Sequence, residues 1–332
     1  MQTIKQGIMN IMPIKQSEAS KSKRLPILDS LKGLSAIIIA CLYHPQTIGF
    51  VHTAGVAPIE NRFFRLFYDY GFLFVEFFLL ISGYLSFYIY GRNREKAAVS
   101  FTTYNKKRLV RILPLIIVTL FTSTVLNLVF AKHNGGGFFW PNGNDTILTL
   151  TLELFGLQSA FPIGQSWNYP AWSMSVFILI WIIFWFVIHF TNRSGDEEVD
   201  CGIPKTDRNR IIICIALVTL GCSLQLSQYP MQTLLLNGSL ARGYLAFFMG
   251  GIVYYIQKYC TNSFCRVISE IGMLWTVLCF LLAYGVFTNP EIQWGQVNVL
   301  FGLFFFPSLL LFCLSHPFMN AINVGGGTSI PW

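Results

Sequence analysis

The chain has 332 residues, of which 54% are apolar and only 11% charged, with a mean hydropathy of +0.55. A soluble domain carries roughly a quarter charged residues, so this composition excludes a pair of ordinary soluble domains and points to membrane spans of about 20 residues each. The formal charge of +8 then reads as Lys and Arg gathered in cytoplasmic loops, with no nucleic-acid partner expected.

In chain order, the apolar runs predict an all-α polytopic membrane helix bundle of about eight transmembrane helices. The runs lie at 31–50, 69–90, 112–130, 172–190, 211–227, 241–257, 271–288 and 296–314. Residues 1–27 form a cytoplasmic N-terminal segment, 28–316 the transmembrane domain and 317–332 a short tail. No cleavable signal peptide is expected, because the first long apolar run starts near Leu31 and continues at span length. The stretch Asp145–Ser159 is too short to span and carries Glu153, so it reads as an interfacial or re-entrant piece. Gly135–Gly137, followed by Phe138, Phe139 and Trp140, reads as an outer loop dipping into the headgroup belt.

Charge sets the orientation. With the N-terminus cytoplasmic, the inner loops hold Arg92, Arg94, Lys96, Lys106, Lys107, Arg108 and Arg111, then Arg193, Lys205, Arg208, Arg210, Lys258 and Arg266. The outer loops hold little beyond Arg62, Arg65 and Lys132. That asymmetry follows the positive-inside rule. Of the eight cysteines, Cys41, Cys214, Cys222, Cys279 and Cys313 lie in apolar runs and act as small hydrophobes. Cys201, Cys260 and Cys265 lack the spacing of a zinc site, and no metal is expected.

An ionisable side chain within hydrocarbon is costly, which makes each one a candidate. Asp29 and Lys32 are three apart and can pair on one helix face or anchor the span entrance. His44 lies about 18 Å beyond Lys32 along the axis, well into the layer, and is suited to proton exchange near neutral pH. Glu76 sits among phenylalanines, where a carboxylate is neutral or paired, and Arg242 is its natural partner or a snorkelling anchor. Ser82 and Gly83 allow close helix approach. Arg108 and Arg111 project together from a helix start, as positive-inside anchors or as a bidentate grip on a phosphate-rich ligand. The run Trp167–Ser175 offers Trp172 and Ser173 as an amphipathic rim able to stack on a sugar, which an interfacial aromatic belt explains equally well.

Taken together, DSLKG with a downstream LYH, VEFFLLISGYL, YNKKRLVRILP, NYPAWSMSV and ARGYLAFFMGG, in this order, resemble the acyltransferase-3 family of membrane-bound O-acyltransferases. The resemblance covers about 28–316. It implies transfer of an acyl group, commonly acetyl, from acyl-coenzyme A to a hydroxyl of a bacterial cell-surface or lipid-linked glycan. It implies His44 as the catalytic histidine, with Asp29, Lys32 and Glu76 in the same machinery. Arg108 and Arg111 face the phosphates of acyl-CoA, and Trp172, Ser173 and Arg242 the glycan acceptor.

The chain departs from the family pattern at several points. Lys32 stands where the family has arginine, and Val176-Phe177 where many members have a carboxylate. Eleven residues, Gly33 to Tyr43, separate Lys32 from His44, one more than the family uses. An extra helical residue turns His44 by about 100°, which a π-bulge or the break ahead of Pro45 absorbs. The family continues through closing spans where this sequence stops at Trp332, an expected shortfall of about two spans. Two other readings stay open at this stage: a proton-coupled transporter using His44, Glu76 and Arg242, and an inactive shortened member.

Overall fold

The computed structural model describes residues 26–43, 70–92, 94–133, 144–161, 166–192, 199–200, 202–227, 233–260, parts of 263–278, and 294–315. Over these residues the chain is an all-α polytopic helix bundle, with a two-residue antiparallel pairing of β1 (Val199–Asp200) and β2 (Ile203–Pro204) ahead of one helix. The main helices among the described residues are α1 (Pro26–Ile37), α2 (Phe74–Ser86), α3 (Phe101–His133), α4 (Ile147–Leu154), α5 (Trp172–Asn192), α6 (Lys205–Leu226), α7 (Gly238–Tyr259), α8 (Trp294–Leu300) and α9 (Phe306–Ser315). A π turn, Ile38–Tyr43, continues α1; another, Phe87–Gly91, extends α2; a third, Phe301–Phe305, joins α8 to α9.

Five helical stretches among the described residues are long and apolar enough to cross a membrane: Gly71–Gly91, Phe101–His133, Tyr169–Asn192, Lys205–Leu226 and Gly295–Ser315. Each coincides with an apolar run of the sequence. Helix α7 matches the run at 241–257, and α1 with its π turn opens the run at 31–50. The run at 271–288 lies largely outside the described residues. Helix α4 has eight residues, about 12 Å of rise, too short to cross, as expected of an interfacial or re-entrant piece.

Helix α7 is the axis of the bundle, buried on several faces from Leu240 to Tyr255. Its neighbours approach to backbone contact because glycines stand at the crossings. A Cβ on Gly83 would overlap the Phe247 carbonyl, and one on Gly250 would overlap the Leu80 carbonyl. On the α6 side, a Cβ on Gly221 would come within 2.6 Å of the Leu245 nitrogen. Small residues at such crossings replace the hydrophobic drive that lipid removes with close dispersion contact. The expected packing role of Gly83 is met. Between the crossings, Phe184 of α5 wedges against Phe87 and Phe247, at centroid distances of 4.9 and 5.6 Å.

Helix α3 lies outermost. Its described buried positions are Tyr104, Ile116, Leu120 and Asn127, whereas Val118, Phe121, Val125 and Leu126 are exposed along its outer face. That is the pattern of a span with one face to lipid. At 33 residues it rises about 50 Å, more than a hydrocarbon core of about 30 Å requires.

The bundle therefore has two unlike ends. One gathers Arg92, Lys106, Lys107, Arg111, Lys205, Arg208 and Lys258. The other gathers Phe72, the α4 region, Trp172 and Asn237, and opens into a cavity.

Candidate active site

The cavity measures about 510 Å³ and is walled by α1, the start of α2, the start of α5, α7 and α8. Its first wall is the stretch Ala36, Ile39 and Ala40, in α1 and the π turn that follows. A π turn holds one more residue than the α turn it replaces. Here it falls between Lys32 and His44, one of the two irregularities that the sequence allowed there. His44 itself lies outside the described residues. Lys32 is half-buried with its ammonium 5.4 Å from the centroid of the Phe78 ring, which also lines the cavity. Asp29 points to the exposed side of α1 and makes no close ion pair with Lys32. The pairing that their spacing allowed is therefore not formed.

Glu76 and Arg242 do meet. The Arg242 Nε and Nη2 groups donate to the two Glu76 carboxylate oxygens, the Nη2–Oε2 distance being 2.8 Å, and Nη2 also donates to the Phe72 carbonyl at 3.1 Å. Glu76 is fully buried, while the Arg242 side chain keeps 14% of its surface exposed, toward the cavity it lines. Its guanidinium lies 4.4 Å from the Trp172 ring centroid and 5.3 Å from that of Phe72. A bidentate pair fixes the plane of the guanidinium, and the indole face stacks on that plane. Ser173 follows on the same wall, with its hydroxyl directed to the Pro170 carbonyl at 3.4 Å.

Two connectors hold this corner. Asn237 caps α7 through the Leu240 N–H (3.0 Å) and donates from Nδ2 to the Ser159 carbonyl (3.0 Å). Ser159 in turn donates from its hydroxyl to the Trp172 carbonyl (2.7 Å) and from its N–H to the Ser175 hydroxyl (2.8 Å). The first turns of α5 and α7, and thus Trp172 and Arg242, are locked in register.

Sequence reading placed Glu153 on a short interfacial piece and assigned it no role. In the fold its buried carboxylate accepts hydrogen bonds from the Ser166 hydroxyl and from the Asn168 N–H (2.9 Å). Asn168 then donates to Thr119 of α3 at 3.1 Å, and Asn127 donates to the Trp167 carbonyl at 3.2 Å. The loop that delivers Trp172 is thus pinned from below by a carboxylate and from the side by α3. Burial raises the Glu153 carboxyl above its ordinary range, and the Ser166 and Asn168 hydrogen bonds pull it partway back. A carboxylate within a polar-capped stretch was visible in sequence; its partners, from 13 to 15 residues away, were not.

Arg108 and Arg111 stand about two and three turns into α3, and they do not project together as their spacing suggested. Arg111 is exposed. Arg108 turns inward into an aromatic cage, 3.8 Å from the Tyr104 ring centroid and 5.2 Å from those of Tyr90 and Trp181, and donates to the Tyr90 hydroxyl at 3.3 Å. From Trp181 the aromatic wall continues to Phe177 (5.6 Å) and on to Phe78 (5.5 Å), and the last two rings line the cavity. A line of rings therefore joins the inward-turned arginine to the cavity.

Apolar helices that cross at glycine contacts and enclose a cavity with a paired, ring-stacked cation define an integral membrane protein with an internal site. The sequence profile of a family described as an acyltransferase domain, acyltransferase-3, matches residues 25–326, and the chain belongs to that family. It is a membrane acyltransferase. No curated protein and no solved structure matches it.

Proposed function

We propose that the protein transfers an acyl group, most simply acetyl, from acyl-coenzyme A to a hydroxyl of a cell-surface or lipid-linked glycan. It would work in the bacterial cytoplasmic membrane with its N-terminus and basic end on the cytoplasmic side. The observation that carries this reading is the line of aromatic rings from Arg108 to the cavity, with Arg242 and Trp172 on the cavity's far wall. Arg108 and Arg111 hold the coenzyme's phosphates at the basic end, where planar guanidinium forks match phosphate oxygens. The pantetheine arm follows the aromatic wall, and the thioester reaches the cavity. Trp172 offers its ring to a sugar face and Ser173 its hydroxyl, and the Glu76-anchored Arg242 faces the oxygen that gains charge as the carbonyl is attacked.

His44, which follows the π turn in sequence, is assigned as the base, with Lys32 and Asp29 on α1. The acceptor hydroxyl oxygen attacks the thioester carbon, giving up its proton to His44. The C–S bond then breaks, and the proton passes to the sulfur, releasing free coenzyme A and the O-acyl ester.

Membranes holding the full chain, given radiolabelled acetyl-CoA and a glycan acceptor fraction, should release coenzyme A thiol and label the glycan in equal amounts. His44→Ala should abolish both. Transfer at the wild-type rate by His44→Ala would overturn the assigned base. Flux of an unacylated solute without thiol release would overturn the reaction class.

A further inference from the structure

The walls of the cavity are chemically unlike. Helices α5 and α7 supply Trp172, Ser173 and Arg242, which stack and hydrogen-bond. The wall made by α1 and its π turn supplies Ala36, Ile39 and Ala40, and α2, which packs on α1, adds Val75 and Phe78. None of these side chains carries a hydrogen-bonding group. Ala36 and Ala40 are exposed, and Ile39 and Phe78 half-buried, so this wall keeps open surface for what enters. A sugar laid on it would leave hydroxyls without partners, at a cost in free energy. An alkyl chain would bury apolar surface there and leave nothing unmatched.

Size and position agree with an alkyl occupant. The cavity volume of about 510 Å³ lies within the range of about 300–1,000 Å³ that encloses whole small molecules. An acetyl group brings only a methyl beyond its carbonyl, and an apolar wall left unfilled forfeits dispersion contact. Phe78 ends the line of rings that starts at Arg108 and also belongs to this wall. A thioester led along the rings therefore arrives beside it. Ala36 and Ala40, about one helical turn apart, hold the wall back, because their side chains are a single methyl each.

We infer that the α1 wall is the acyl-chain subsite, with Ala36 and Ala40 setting the chain length admitted, so that the donors include acyl-CoA thioesters with alkyl chains longer than acetyl. This rests on the acyl-transfer reading above and deepens it by naming the donor class. Acetyl-CoA is then the shortest donor used and not the best one.

The test uses the full chain in detergent micelles with the glycan acceptor fraction and acetyl-, propionyl-, butyryl- or hexanoyl-CoA, read by thiol release and by mass of the glycan. For wild type, kcat/KM should rise about fourfold with each methylene from acetyl to butyryl, the fold-change that burial of one such group gives. Ala36→Leu and Ala40→Leu each fill part of the wall and should cut the butyryl-to-acetyl ratio of kcat/KM about tenfold. Both rates of that ratio come from one preparation, so loss of folded protein does not move it. A wild type that favours acetyl-CoA, or a ratio unchanged in both variants, would overturn the inference and leave the acyl-transfer reading standing. Thiol release from none of these thioesters would overturn both. The lipid anchor of a lipid-linked acceptor has the same alkyl chemistry. A raised KM for such an acceptor in the variants, with the ratio unmoved, would give the wall to that anchor and overturn the acyl assignment.

Discussion

Among the described residues, two acidic side chains are buried against basic partners, one at each end, and the two are built differently. At the cavity, Glu76 holds Arg242 through both oxygens, and the arginine remains open on one side to the cavity and the Trp172 ring. At the basic end, Asp207 takes Lys258 at 2.5 Å, Arg210 at 3.5 Å and the Tyr259 hydroxyl. Arg210 then donates to Thr191 at 2.9 Å and to the Gly91 carbonyl at 3.3 Å. The Asp207 cluster closes on itself and ties α5, α6, α7 and the end of the Phe87–Gly91 turn together. The Glu76 pair leaves donor capacity over. A closed network serves the fold, whereas a pair with a free donor facing a cavity is equipped to meet a ligand.

The largest expected effect follows from the closed network. Asp207→Ala leaves Arg210, which is 3% exposed, without its carboxylate. Uncompensated buried charge costs about 3–5 kcal/mol. Chemical unfolding in micelles should show that loss, while acyl transfer per folded molecule stays at the wild-type level. Transfer lost in step with stability would place Asp207 in the chemistry and remove the contrast.

Glu76→Gln should show the opposite division. The substituted amide would still accept one Arg242 hydrogen bond, and Arg242 keeps its stacking on Trp172, so stability should fall by only about 1–2 kcal/mol. Transfer should fall on the order of 100-fold, because a guanidinium no longer held by two bonds drifts from its working position. Initial rates at saturating acetyl-CoA, set beside unfolding curves of the same preparation, separate the two.

Arg108→Lys tests the other end of the proposed donor path. Lysine keeps charge but loses the flat face that stacks on Tyr104 and the fork that grips phosphate. The KM for acetyl-CoA should rise about tenfold with kcat little changed, and the acceptor KM should not move. An equal rise in both would tie Arg108 to the bundle's packing instead of to the coenzyme.

Much of this was legible in sequence, for identifiable reasons. Span positions follow from apolar runs, and the Gly83 crossing from a small residue in mid-span, because both are local. The π turn Ile38–Tyr43 is one of the two irregularities that the spacing from Lys32 to His44 allowed. The Glu76–Arg242 pair was reachable, since a carboxylate in hydrocarbon needs a cation and few were available. Asp29 and Lys32 show the limit: spacing allows a pair, but the aromatic environment of Phe78 takes the lysine instead. Glu153 was not singled out for a site, because its partners are 13 and 15 residues away. No local pattern records such partners.

Glu153 sharpens the comparison as a third buried carboxylate, one held by neutral donors alone among the described residues. Its carboxyl titrates above the ordinary range because burial outweighs the Ser166 and Asn168 hydrogen bonds. The folded protein therefore holds this proton more tightly than the unfolded chain does. Its contribution to stability is full below the unfolded value, about 4.3, and is lost as pH rises through the folded one. Glu153→Gln cannot titrate, so it should remove that decline while keeping an acceptor for the Asn168 N–H. The Tm measured at steps from about pH 4 to 7 should fall less in the variant than in wild type. A wild-type Tm that instead climbs over that window relative to the variant would mean that the hydrogen bonds outweigh burial. The loop that carries Trp172 would then be held by a charged anchor, as Arg242 is.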